Sequence, residues 1–194
     1  MEYPLEDRRQ FALFAHATQC FRYCVEACDY VKEHNLKMSD FLYKPLSEWA
    51  ITEYGKPFKK SRGLGKIPEK MIPQRHIELH EFILRVRDKM VAHVDTIGLE
   101  NPEHGFHKVR LERTMRNFNY IVEAPRVRPQ KIEQLRILAK KLEEKSHYHA
   151  TKHVKKLSKI VKGKGLGEFL IDIEKSEGGI TKLKDKEKAI LFGD

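Results

Sequence analysis

Between residues 85 and 95 the chain reads Arg85-Val86-Arg87-Asp88-Lys89-Met90-Val91-Ala92-His93-Val94-Asp95, the one dense polar cluster that falls at a predicted helix end. An imidazole with a pKa near ~6.5 can take up a proton at neutral pH. A guanidinium can grip an oxyanion through two parallel hydrogen bonds. Helical geometry places Lys89 and His93 one turn apart on the same side, with Arg87 about 120° around the axis from His93. The Met90–Val94 row runs beside His93, so the imidazole borders an apolar seam. A lone histidine there would be structural; a guanidinium, carboxylate, ammonium and imidazole crowded onto one seam are candidates for chemistry.

Other candidates are weaker. His76 and His80 stand one helical turn apart, as do His149 and His153, with His147 nearby. Such a pair can bind a metal, but a third ligand is not visible in sequence, and no metal or cofactor is expected. Burial or a partner surface suits the His149/His153 pair better. Cys20, Cys24 and Cys28 recur every fourth residue with no second pair to complete a zinc site, so they read as core. Gly63-Leu64-Gly65-Lys66 lacks both the spacing and the flanking strand of a phosphate loop.

The elements that must position these residues follow from apolar periodicity. From Leu5 to His34 an amphipathic helix carries Phe11, Phe14, Phe21, Cys24, Val25, Cys28 and Val31 inward. A shorter helix is capped by Ser39 or Asp40 and turns Phe41, Leu42, Leu46, Trp49 and Ala50 to the core. The glycines and prolines of residues 55–68 make a loop. A third helix, residues 73–94, uses Leu79, Ile83, Val86, Met90 and Val94. The alternation of Val109 and Leu111, then of Phe118, Tyr120 and Val122, predicts a hairpin within 106–123. A last helix, residues 130–161, carries Leu135, Leu138, Leu142, His149, Leu157 and Ile160. Beyond it Phe169–Ile173 could form a strand turned by Gly178-Gly179.

Composition sets the limits. The 194 residues carry 38 basic and 28 acidic side chains, a net charge of +10. Residues 126–166 hold 13 basic and 3 acidic side chains, so the whole excess lies in one stretch that reads largely as helix. Such a stripe attracts polyanions and gives salt-dependent binding, unless it is simply a solvated face. Lys152, Lys155, Lys156 and Lys159 are the candidate nucleic-acid contacts. No apolar run reaches the ~18–20 residues of a membrane span, and the first residues lack signal-peptide order. A cytoplasmic protein is expected, and the odd cysteine count fits a reducing compartment.

The run Arg87-Asp88-Lys89-Met90-Val91-Ala92-His93-Val94-Asp95 resembles the Arg–polar–several residues–His motif of the HEPN superfamily, in the form found in its abortive-infection subgroup. The element order is similar too. The resemblance implies a mainly α fold, a four-helix HEPN-like bundle over 1–162 with a small β-hairpin inserted before the last helix, then an irregular C-terminal tail, 163–194. It also implies a metal-independent endoribonuclease, a toxin or phage-defence effector, working as a homodimer whose motif copies meet, with a cognate antitoxin as a further partner. RNA supplies its own nucleophile, so His93 would take the 2′-OH proton and Arg87 would stabilise the scissile phosphate, with Asp88 and Lys89 completing the site. The alternative class is a non-catalytic HEPN-like adaptor that binds RNA or protein. Asp88, a negative charge beside the phosphate site, favours the adaptor, and the intact Arg87 and His93 favour cleavage. A metal-dependent enzyme built on the histidine pairs ranks third.

Overall fold

The computed structural model describes residues 3–60, 64–91, 108–113, 118–123, 127–162, 169–175 and 179–182. Among them are four α-helices: α1 (Leu5–Glu33), α2 (Tyr43–Gly55), α3 (Ile77–Val91) and α4 (Pro129–Val161). Two antiparallel strand pairs join β1 (Lys108–Arg113) to β2 (Phe118–Glu123) and β3 (Phe169–Ile171) to β4 (Ile180–Lys182). The protein is mainly helical, and the expected hairpin is present with Val109 opposite Val122 and Leu111 opposite Tyr120. Contacts divide the chain into two compact units, residues 1–22, 56–71 and 141–194 in one, 23–55 and 72–140 in the other.

In the second unit, the C-terminal part of α1 buries Cys24, Val25, Cys28 and Val31, while α4 contributes Ile132, Leu135 and Leu138. Arg136 joins the two helices through Asp29 at 3.1 Å and holds Glu133 at 3.0 Å. Asn35, at φ 48°, ends α1 in a left-handed turn. There the Leu36 N–H donates to the Val31 carbonyl and the Asn35 N–H to that of Lys32, which satisfies two otherwise orphaned acceptors. Pro129 opens α4 at the first helical position, where its missing N–H costs nothing. A 3₁₀ turn, Gln74–His76, leads into α3, whose buried stripe is Leu79, His80, Ile83 and Val86.

The expected start and inner face of α2 are corrected. Asp40 spends its carboxylate on the Lys37 N–H at 2.6 Å, and the first helical bond runs from the Leu46 N–H to the Leu42 carbonyl. Pro45 explains the shift: a helix capped at Ser39 or Asp40 would place it where an N–H is required, whereas here it lies within the first turn. The face rotates accordingly. Tyr43, Ser47, Ala50, Ile51 and Tyr54 are buried, Phe41 is 90% exposed and Trp49 44% exposed. The Trp49 indole N–H donates to Glu53 at 3.2 Å.

In the first unit, the N-terminal part of α1 buries Leu13, Phe14, Ala17, Cys20 and Phe21, and α4 adds Leu142, Ala150 and Leu157. Here too the helices run antiparallel, since Asp7 meets Lys156 at 3.3 Å and Arg22 meets Glu143 at 3.1 Å. The strand expected within Phe169–Ile173 is present as Phe169–Ile171, so the described part of the tail is not irregular. β3 and β4 pair, and Ile180, Phe169 and Ile171 pack with Tyr3 and Leu157. The physical reason is Arg8, 1% exposed, which donates from Nε to the Asp172 carbonyl at 2.9 Å and from its two Nη atoms to the carbonyls of Tyr3 and Lys175. A buried guanidinium needs such acceptors, and the turn between the strands supplies two of them.

Candidate functional site

Arg87 lies on α3 and its stem crosses Gly55, the last residue of α2. A Cβ built on Gly55 would stand 2.4 Å from Arg87 Cδ and 3.0 Å from its Nε. A side chain at position 55 would displace the arginine stem from this position. Arg87 Nη1 donates to Asp88 Oδ1 at 3.0 Å, and its Nε is buried with no hydrogen-bond partner among the described residues. The Arg87 side chain is largely covered and that of Asp88 half exposed. The arrangement fixes a guanidinium at its stem and one edge. Of the other two predicted catalytic residues, Lys89 belongs to α3 but its side chain lies outside the described residues, as does His93 altogether.

The predicted basic contacts separate into two kinds. Lys152, Lys155 and Lys159 are exposed on α4, and Lys152 Nζ sits 4.4 Å from the centre of the Tyr148 ring. Lys156, although exposed, is tied to Asp7.

The histidine pairs also separate. His149 stacks on Phe14, ring centres 4.6 Å apart. His153 Nδ1 meets the Tyr3 hydroxyl at 2.7 Å and lies 3.7 Å from Asp7. Desolvation holds the His153 imidazole below its usual pKa, with Lys156 and His149 adding to the shift and Asp7 opposing it. Burial, reinforced by the Asp7 charge, pushes the Tyr3 hydroxyl up to about 12. His80 is buried against the Tyr54 hydroxyl at 2.8 Å, while His76 meets Arg75. Among the described residues no three His, Cys, Asp or Glu side chains converge to hold a metal ion. Cys20, Cys24 and Cys28 are buried thiols.

The sequence reading missed three features. The Tyr3–His153–Asp7 cluster joins positions too far apart in the chain to leave a local signal. The Arg8 cradle is hidden the same way, although a charged residue inside an apolar helix stripe could have flagged it. The third is a cavity of about 380 Å³ bounded by Cys28, Val31, Leu36, Pro129 and Ile132 with the Lys32–Glu133 ion pair; no predicted site residue lines it. No described helix is long and apolar enough to cross a membrane. Comparison with family models, curated proteins and solved structures returns no match.

Proposed function

We propose that the protein is a metal-independent endoribonuclease of HEPN type, acting as a homodimer in a toxin or phage-defence role. The observation that carries the reading is the placement of Arg87, whose stem is seated on Gly55 near the end of the helix that bears the motif. A guanidinium fixed before substrate arrives loses little entropy on gripping a phosphate and can meet the extra charge of the transition state. His93 takes the proton of the ribose 2′-OH; the 2′-oxygen then attacks phosphorus as the bond to the 5′-oxygen breaks, and the leaving 5′-oxygen takes a proton from water, whose hydroxide the protonated His93 neutralises. The products are a 2′,3′-cyclic phosphate and a 5′-hydroxyl end. The exposed lysines of α4 supply long-range attraction for the polyanion.

The test is incubation of purified protein with total RNA in EDTA, with end-group analysis of the fragments. Cyclic phosphate ends are expected, with a loss of ~10²–10⁴-fold in rate for His93→Ala and a comparable loss for Arg87→Ala. Cleavage by His93→Ala at the wild-type rate would overturn the assignment. The Arg87–Asp88 ion pair favours a second reading, a non-catalytic RNA- or protein-binding adaptor, because it already engages one edge of the guanidinium. Retained binding with no new RNA ends would select it.

A further inference from the structure

One face of α4 combines cations with an aromatic ring. Lys145, Tyr148, Lys152, Lys155 and Lys159 follow one another at intervals of three and four residues, which aligns them along about 21 Å of helix. From Lys145 to Val161 α4 contains no acidic residue, and Glu144 marks the upstream end of the run. Lys145 donates to the Met71 carbonyl at 2.9 Å, so its charge is held in place. Tyr148 is 59% exposed, which leaves ring surface open to solvent. Its ring meets His149 edge-on at 5.8 Å, and His149 is itself fixed by its stack on Phe14.

We propose that this face binds single-stranded RNA, with an unpaired base stacked on Tyr148 and the backbone following Lys152, Lys155 and Lys159. The inference rests on the reading of RNA as substrate and narrows it to a strand class. Bases in a duplex already stack on each other and cannot offer a face to an exposed ring, whereas unpaired bases can. The Lys152 ammonium over the ring adds a cation within reach of the phosphate next to a stacked base. An anionic membrane would meet the same charges, but Tyr148 is the one aromatic side chain in this row, which offers little apolar area to bury in lipid.

Binding is measured by fluorescence anisotropy with a labelled 2′-O-methyl oligouridylate of about 12 nucleotides. That probe cannot be cleaved, so the result is independent of catalysis. Tyr148→Ala should weaken binding by ~5- to 150-fold, the equivalent of one stacked base, while Tyr148→Phe and Tyr148→Trp stay close to wild type. Affinity for a blunt RNA duplex should not change in Tyr148→Ala. Lys155→Gln with Lys159→Gln should flatten the salt dependence. Unchanged oligouridylate affinity in Tyr148→Ala, or an equal loss on the duplex, overturns the proposal. Capture by anionic phosphatidylserine vesicles without RNA binding overturns it in favour of a membrane surface. Tyr148-dependent binding with no cleavage of natural RNA would sustain it and remove only the nuclease reading.

Discussion

Arg87 owes its position to a residue with no side chain. Alanine at Gly55 would drive a methyl group to 2.4 Å from Arg87 Cδ, so the arginine stem must move. Gly55→Ala is therefore expected to lower RNA cleavage by ~10-fold or more, since small misplacement of a charge-stabilising group is expensive, and to leave oligouridylate affinity unaltered. A wild-type cleavage rate would show that the seat is irrelevant. His153 gives a pH prediction of definite sign. Its folded pKa is lowered, so folding favours the neutral ring. The stability it contributes is present above the unfolded pKa of ~6.5 and is lost as pH falls below that value. Thermal midpoints should fall between pH 7.5 and 5.5, and fall less in His153→Gln; identical slopes for the two proteins would contradict this. The pairing of His149 and His153 was legible in the sequence. Their separate fates were not, because Phe14, Tyr3 and Asp7 come from the other end of the chain.

Helices declare themselves by period and lose definition at their ends. α1 and α4 matched their stripes because many apolar positions fix one face. α2, with 13 residues, offers fewer, and Pro45 outweighed the apparent cap at Asp40. The apolar Phe41 and Trp49 therefore misled, since hydrophobicity alone does not dictate burial. β3 and β4 are short, and what holds their turn is Arg8, which a local pattern cannot reveal. Arg8→Ala would strip the Asp172 and Lys175 carbonyls of a charged donor. A loss of about 3 kcal/mol is expected in denaturant titration, from hydrogen bonds to a charged group left unmade. A change below about 0.5 kcal/mol, the scale of an ordinary surface substitution, would show that the strand pair is held by other contacts.

At the scale of the molecule, charge distribution could be read directly, because net charge needs no geometry. The division into two units could not, since it falls within α1 and within α4, between residues 22 and 23 and between 140 and 141. No break in composition marks either place. The homodimer is a proposal drawn from the motif, in which six residues separate Arg87 from His93, a spacing that a continuous helix would set about 120° apart. A two-fold axis through the seam would bring two copies of each into one cleft. Sedimentation at micromolar concentration should report a dimer, and strictly monomeric protein that still cleaves RNA would exclude a shared site.

The partners of Arg8 also impose an order on synthesis. Its guanidinium leaves the ribosome well ahead of the Asp172 carbonyl, which is 164 residues further along. Residues 23–55 and 72–140 are both translated before 141–182 exist, so one unit can close while the other still lacks a strand of its fabric. Burying the guanidinium before its acceptors arrive would strand a charge in an apolar setting. At about 5–20 residues per second, the first turns of α1 must wait in water on the order of ten seconds. Nascent chains halted before residue 169 should therefore be cut by protease within residues 5–22, and chains extended past residue 182 and clear of the exit tunnel should resist. Equal resistance at both lengths would mean that the early helix docks without its late partners. If so, for those seconds the segment would be a timed target, open to chaperones and proteases and closed once β3 and β4 arrive.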